Sequence, residues 1–540
     1  MNRAQSTKLG LFLTLIGFVL GGFALWQGAF YLTHHEGDTL HVSEIVFRMA
    51  AGEVPHLDFM TPIGGLAFAP FASFVEGGMG LGRSILWSQA GAALLLTPIA
   101  WWVAVSRLNF VNGLLFGALI PVLCLAVIHG KVETGLSISM HYNRWCWALS
   151  FLVIMLSVFE SRRRSDLFDG VLIGALMTGL VMIKVTYFAA FAPVVLLALV
   201  LRSAWRSLAA ALGTGLVIAA GLTLWLGADY WFAYLGDLLE VSQSDLRSEP
   251  GLPLLGIVTD PEYRGAWLAA VVAVIFLRQS GRQREGLLLL VLLPAFIYVT
   301  YQNFGNDPQW LLLLAVMLIA LRPEPGMTNG FGWDMRQASH ILIAVVLAFG
   351  LPSYLNMAYS PVTMANQDPD EYEPLFLEDN VHADLQLIRV RTLRADAKIA
   401  LDTEGMPLAS RADPEERDDP TVFQGETLPF CTVDNGIPIY MEEIAEDLTE
   451  AGFGASRIFF ADLFSSIWLY GDFERLEGGS PWYYSGLPGW ESADYLLVPL
   501  CVIYSDVRTK TLENIEAARE GEEPLRELRR TELYVLYDAP

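Results

Sequence analysis

Residues 9–41 read LGLFLTLIGFVLGGFALWQGAFYLTHHEGDTLH. From Leu9 to Leu32 there is no charged side chain; then His34, His35, Glu36, Asp38 and His41 arrive together. A helix needs roughly 20 apolar residues to cross a hydrocarbon core about 30 Å thick. This run is too long for a signal-peptide core and lacks a small-residue cleavage site, so it reads as a retained first span. Arg3 and Lys8 ahead of it place the N-terminus on the cytoplasmic side. The acids and histidines then stand where the chain leaves the bilayer on the far side.

Further apolar runs follow at about 85–105, 110–129, 145–160, 169–184, 186–201, 207–227, 265–278, 286–303, 310–321 and 338–358, which with 9–32 suggests about eleven spans. The alternate connections carry Arg107, Arg162 to Arg164, Arg202 and Arg206, Arg278, Arg282 and Arg284, then Arg322 and Arg336. Short basic connections mark the cytoplasmic side. The intervening segments 33–84, 130–144, 228–264 and 304–309 face out, and an odd number of spans puts residues 361–540 outside as well.

Composition supports this division. The chain is 54% hydrophobic and only 17% charged, with a mean hydropathy of +0.42. Residues 361–540 hold 37 Asp and Glu against 14 Lys and Arg, whereas residues 1–360 hold 21 against 20. The expected architecture is therefore a mostly α, polytopic membrane helical bundle over 1–360 with an acidic soluble α/β domain over 361–540. That domain should contain short strands at 398–402, 457–464, 495–503 and 533–537, helices at 440–451 and 506–520, and an acidic loop at 413–420. Its charge argues against nucleic acid and anionic headgroups as partners. Cys124 and Cys146 read as buried small hydrophobes. Cys431 and Cys501 could form a disulfide in an oxidising compartment, but spacing alone leaves the pairing open. No glycine-rich phosphate loop and no internal repeat is present.

The first outward segment holds most of the chemistry. Leu40 to Ala51 has an amphipathic helix period, and 62–75 is a second apolar piece broken by Gly64, Gly65 and Pro70. Two short helices lying on the membrane surface would account for both. Between them runs Ala51-Gly52-Glu53-Val54-Pro55-His56-Leu57-Asp58-Phe59. This layout resembles the GT-C superfamily of polytopic glycosyltransferases: a first span, an outward acid, two juxtamembrane helices, a Gly-x-Val-Pro-x-x-Asp-Phe segment and many further spans. The resemblance covers residues 9–360 as architecture and about 30 residues as motif. It implies sugar transfer from a polyprenyl-phosphate-linked donor, in the branch that modifies lipid-linked or surface glycans, at the periplasmic or outer face of the inner (plasma) membrane. The acceptor would be a glycan, a glycolipid or a protein. The resemblance points to Asp38 as the catalytic acid residue, then to Glu36. It departs from the family pattern in that Asp38 is followed by Thr39 rather than by a second acid.

Sugar transfer from a polyprenyl phosphate needs a carboxylate to deprotonate the acceptor hydroxyl and cations to hold the leaving phosphate. Asp38 suits the first role, although an acid ahead of an apolar period is also an ordinary N-cap. Asp58 is a further catalytic candidate or a turn residue after Pro55. For the phosphate the candidates are Arg144, in His141-Tyr142-Asn143-Arg144-Trp145, and Lys184, which at a span end could instead snorkel to the interface. Arg247 and Arg264 read as loop charges. His141 joins the substrate-binding set with Asn303, Asn306 and Asp307, from Tyr301-Gln302-Asn303-Phe304-Gly305-Asn306-Asp307-Pro308-Gln309-Trp310. That stretch suits sugar hydroxyls, with Trp310 for stacking, and reads equally as a turn in which Gly305 ends one helix and Asp307 caps the next. His34, His35, His41 and His56 match no zinc spacing, and no metal is required, although a divalent ion could bridge carboxylate and phosphate. Trp482-Tyr483-Tyr484 offers an aromatic surface or part of a core. The competing classes are a transporter or flippase, and a polysaccharide polymerase. The absence of repeated halves and the acidic balance of 228–264 count against them.

Overall fold

A computed structural model describes residues 1–130, 134–163, 165–244, 246, 253–303, 306–376, 380–402, 406–411 and 421–539. Arg164, Arg247, Phe304, Gly305 and the acidic loop 413–420 lie outside the described residues.

Helices dominate residues 3–365. They are α1 (Arg3–Leu25), α2 (Glu36–Ala50), α3 (Ala69–Glu76), α4 (Leu81–Arg107), α5 (Phe110–Leu125), α6 (His141–Val158), α7 (Asp166–Ile183), α8 (Val185–Leu201), α9 (Trp205–Leu226), α10 (Asp229–Gln243), α11 (Leu254–Thr259), α12 (Pro261–Gln279), α13 (Gln283–Gln302), α14 (Trp310–Ala320) and α15 (Met335–Ala365). Each of the eleven apolar runs overlaps a helix, although 9–32 and 110–129 run past the ends of α1 and α5. Among the described residues six helices, α1, α4, α7, α9, α13 and α15, are long and apolar enough to cross a membrane, while α5, α8 and α14 are apolar but shorter. At 1.5 Å per residue the eleven residues of α14 reach only about 16 Å, half a hydrocarbon core. Leu311 to Leu318 are all buried, so α14 is a short helix enclosed by its neighbours rather than a free crossing.

Packing follows from small residues. On α7, Gly170 and Gly174 face α9 so closely that an added Cβ would come within 2.4 Å of the Ser207 and Ala211 carbonyl oxygens. Two glycines one turn apart let backbones approach where lipid offers no hydrophobic drive for association.

The bundle has two unlike ends, and α4 connects them. At its start the Gly82 and Arg83 amides donate to the Asp384 carboxylate at 3.0 and 2.9 Å. At its end Arg107 pairs with Asp169 at 2.6 Å, and Trp102 Nε1 donates to the same carboxylate at 2.8 Å. Arg202 joins this end by donating to the Ser157 carbonyl at 2.6 Å, and Arg284 by pairing with Glu160 at 2.9 Å. The basic connections thus gather at one end, and the first polar loop and the C-terminal region at the other.

The first span departs from expectation. α1 stops at Leu25, and residues 30–32 form strand β1 (Phe30–Leu32) instead of a last helical turn. Gly28, at φ +69°, breaks the helix, and β1 then pairs in parallel with β3 (Leu385–Ile388), beside β2 (Tyr372–Pro374). After a single turn α16 (Arg389–Thr392) come β4 (Asp396–Ile399), β5 (Val422–Phe423), β6 (Glu426–Thr427), β7 (Cys431–Asn435), α17 (Ile437–Glu450), β8 (Ile458–Phe460), β9 (Tyr495–Pro499), α18 (Ser505–Ala518), β10 (Glu527–Arg530) and β11 (Tyr534–Asp538). Four of these strands form a sheet in the order β10-β11-β9-β8, with β8 and β9 parallel. The runs Ile458–Phe460, Leu496–Val498 and Tyr534–Tyr537 are buried on both faces, which is why they stand out as apolar blocks rather than alternating patterns. Cys431 and Cys501 are disulfide-bonded, and Cys124 and Cys146 are buried free thiols.

Candidate functional site

Helix α2 begins at a strained residue. His35, its N-cap, has φ 63° and makes no side-chain cap, so Asp38 lies in the first helical turn and is not the cap. Acids in a first turn suit the positive end of the helix dipole. Asp38 Oδ2 accepts from Ser139 Oγ at 2.5 Å. The Ser139 amide in turn donates to Ser137 Oγ at 3.0 Å, and that hydroxyl lies 3.1 Å from His35 Nδ1. The 126–140 connection is therefore laced to the start of α2.

The same connection receives Arg144. Its Nη1 donates to the Ile128 carbonyl at 2.5 Å and the Ser139 carbonyl at 3.3 Å, while its Nη2 is buried without a hydrogen bond. One residue earlier, Asn143 Oδ1 accepts from Lys184 Nζ at 3.1 Å. Lys184 stands in the break between α7 and α8, also donates to Asn303 Oδ1 at 2.6 Å, and lies 5.4 Å from the centre of the Tyr142 ring. Tyr187 closes the cluster: its hydroxyl accepts from Asn303 Nδ2 at 2.8 Å and donates to the Asn143 carbonyl at 3.3 Å. Lys184 is thus held inward by two carboxamides and does not snorkel. The run Asp38, Ser139, Arg144, Asn143, Lys184, Asn303 is continuous through the first loop, the 126–140 connection, α6, the α7–α8 break and the end of α13.

Several buried polar atoms along this run make no hydrogen bond: Arg144 Nη2, Asn143 Nδ2, His141 Nδ1, Asn306 Oδ1 and Gln309 Oε1. Such atoms occur at other buried positions too, Gln89, Ser150 and Trp267 among them, and those on and near this run can take a polar occupant, water or ligand. His141 is fixed by Nε2 on the Ala67 carbonyl at 2.9 Å, among Phe71 and Trp145. Asn306 lies against Met140, and Gln309 Nε2 donates to the Gly130 carbonyl at 3.4 Å. Asp307 is buried beside them but does not cap α14; Gln309 occupies that position.

Other expected residues serve elsewhere. Glu36 is 3% exposed and holds Arg391 by a two-pronged pair, at 3.0 Å to Nε and 2.7 Å to Nη2. Asp58 is exposed and accepts from the Val54 amide at 2.6 Å, closing the 54–58 turn; it is the turn residue. Trp310 has no exposed surface and stacks between Trp267 and Phe296, with ring centres 5.0 and 4.8 Å away, so it is core and offers no face to a sugar. Trp482 packs on His41 and Phe464, and Tyr483 and Tyr484 are buried, so this trio is not an open aromatic platform. Arg264 caps its own loop at the Thr259 carbonyl. Of the first-loop histidines, His34 is exposed, His41 faces Trp482 and His56 bonds Asp237 at 2.8 Å. Among the described residues no three metal-ligating side chains gather.

Helix α2 does not lie open on a membrane surface. Glu44, with no exposed side-chain surface, accepts from Ser465 Oγ at 2.7 Å, Ser466 Oγ at 2.9 Å and Arg48 Nε at 3.2 Å. Arg48 also donates to Glu53 at 3.0 Å and to the Leu476 carbonyl at 3.1 Å. The polar stripe that would face water faces the C-terminal domain instead. Sequence reasoning passed over Ser137 and Ser139; two hydroxyls two residues apart beside an apolar run were the available signal. Compared with known proteins, the chain matches no family model, no curated protein and no solved structure.

Proposed function

We propose that this chain is an integral-membrane glycosyltransferase of the GT-C kind, which moves a sugar from a polyprenyl-phosphate-linked donor to a lipid-linked or surface acceptor. The observation that carries the reading is the group of buried, unpartnered polar atoms around Arg144, Asn143 and His141, beside the Asp38 carboxylate and the Lys184 ammonium. Asp38 accepts the proton of the acceptor hydroxyl. The new bond joins that oxygen to the sugar's anomeric carbon, and the bond from that carbon to the phosphate oxygen breaks. Arg144 Nη2 and Lys184 take up the charge left on the phosphate, in a setting dry enough to make fixed cations effective. Asn143, Asn303, Asn306 and Asp307 provide hydrogen-bonding groups for the sugar.

On this reading about eleven helices build the bundle in the inner (plasma) membrane, the short α14 enclosed among them, with the basic connections in the cytoplasm and the C-terminal domain outside. The Cys431–Cys501 bond supports that side, since disulfides persist in oxidising compartments.

The test is mass spectrometry of lipids retained by the purified protein, followed by turnover with wild type and Asp38→Asn. Expected are a bound polyprenyl phosphosugar and a variant that keeps the lipid but loses transfer by about 10²–10⁴-fold. If no polyprenyl lipid is retained and the variant leaves surface glycans unchanged, the assignment fails.

A further inference from the structure

Helix α10 presents two faces that do not match. Tyr230, Tyr234 and Asp237 point inward: the Tyr234 hydroxyl donates to the Val181 carbonyl at 2.8 Å, and Asp237 Oδ2 takes His56 Nδ1 at 2.8 Å and the Thr61 amide at 3.1 Å. The opposite stripe is apolar and open. Phe232, Leu235 and Leu239, spaced i, i+3, i+7, are 73%, 53% and 49% exposed. On α11, Leu254 and Leu255 are exposed too.

We infer that this stripe is a lipid-binding surface, and that α10 lies in the plane of the bilayer interface at the end of the bundle that carries the first loop. Three observations fix the occupant. First, α10 follows α9 after only Gly227 and Ala228, and the last turn of α9 is itself open, with Leu224 89% and Trp225 78% exposed. The apolar stripe therefore continues from a helix that faces lipid. Second, α10 cannot dive back into the membrane. Its far end is held on the C-terminal domain, where Ser244 Oγ donates to the Tyr484 carbonyl and Ser485 Oγ to Glu240. At fifteen residues it is about 22 Å long, too short to span. Third, α10 carries Asp229, Asp237 and Glu240 and no Lys or Arg, which suits a neutral or zwitterionic lipid surface and not an anionic one. A helix of this kind buries its apolar face at the headgroup–acyl boundary. It would fasten the membrane surface to the 51–61 turn through His56 and Thr61, and to the C-terminal domain through Tyr484 and Ser485.

This inference is independent of the transferase reading and its test needs no turnover. The full chain is placed in phosphatidylcholine nanodiscs with Leu235→Cys, Leu239→Cys or, as a control on the C-terminal domain, Glu520→Cys, each labelled with a fluorophore. The native thiols Cys124 and Cys146 are buried, and Glu520 is exposed. Lipids spin-labelled near the headgroup should quench both leucine positions severalfold more than lipids labelled at the acyl terminus, and should leave position 520 unquenched. Quenching no stronger than at position 520, equal quenching from deep labels, or disulfide capture between two copies of the unlabelled Leu235→Cys variant would each overturn it.

Discussion

A carboxylate with no exposed surface must be compensated inside the protein, and Glu44 is compensated by Arg48 and two serine hydroxyls. Removing Glu44 leaves the buried Arg48 with Glu53 as its one remaining carboxylate, so the cost falls below the ~3–5 kcal/mol of a wholly unpaired buried charge. Glu44→Ala should therefore loosen the seat of α2 on the 464–482 segment, seen as a lower thermal midpoint and faster proteolysis there. Unchanged values would mean that this network does not hold the domain. At this scale the sequence was readable where a charge stands beside an apolar run, as Arg144 and Lys184 do, whereas Asp38 was picked out by the family resemblance. It was not readable where a neutral side chain acquires its role from a distant partner. Ser139 matters because Asp38 reaches it from 101 positions away, and Asn143 because Lys184 does. Glu36 resembled Asp38 in sequence, and only Arg391, far along the chain, gives it a different role.

Among the elements, α2 was foreseen as a helix but not as a buried one. Its apolar period describes one face correctly; the other face, Thr39, Ser43, Glu44 and Arg48, has the composition of a wetted surface and is covered by protein. A single element's periodicity carries no information about what satisfies its polar side. Helix α14 shows the converse, since an unbroken apolar run looks the same whether lipid or other helices surround it. The junction of α2 with the C-terminal domain also carries a titratable group. Phe47 packs on His382, ring centres 4.6 Å apart, and burial holds that imidazole below its ordinary value of 6.5. The folded state then binds fewer protons than the unfolded one just below 6.5, so stability rises with pH through that window. The junction should be complete above pH 6.5 and weaken as pH falls toward the lower, folded value. Hydrogen exchange of the α2 amides should quicken on going from neutral pH to about pH 5, after correction for intrinsic rates, and His382→Phe should flatten the response.

For the molecule as a whole, the division into a bundle and a C-terminal domain is blurred by β1 and α2, which follow the first span in sequence but pack with the last third of the chain. The boundary expected at 360 is likewise crossed by α15, which runs to Ala365. The change from a helical to a partly strand-containing region was legible in the composition; the crossing was not, because strand pairing between distant segments leaves no local mark. Deleting residues 366–540 should leave the Arg107–Asp169 end of the bundle protected while amides of 30–59 lose protection, measured by hydrogen exchange in membranes. Equal protection of 30–59 in both forms would show that the first loop is ordered without the domain.

The parallel pairing of β1 with β3, and the clasp of Glu36 by Arg391 across 355 positions, also set a timetable for biosynthesis. At roughly 5–20 residues per second, ribosomes deliver the second partner on the order of 20–70 s after the first. During that interval the segment bearing Asp38 has emerged and meets Ser139, 101 positions on, but β1 and Glu36 still lack their partners. A nascent chain therefore cannot complete the β1–β3 pairing or the Glu36–Arg391 clasp until residues 385–391 have been made. Chains cut short by a ribosome stall would carry α1 and the first loop without β3 or Arg391, so the fold around this loop is tied to completion of translation.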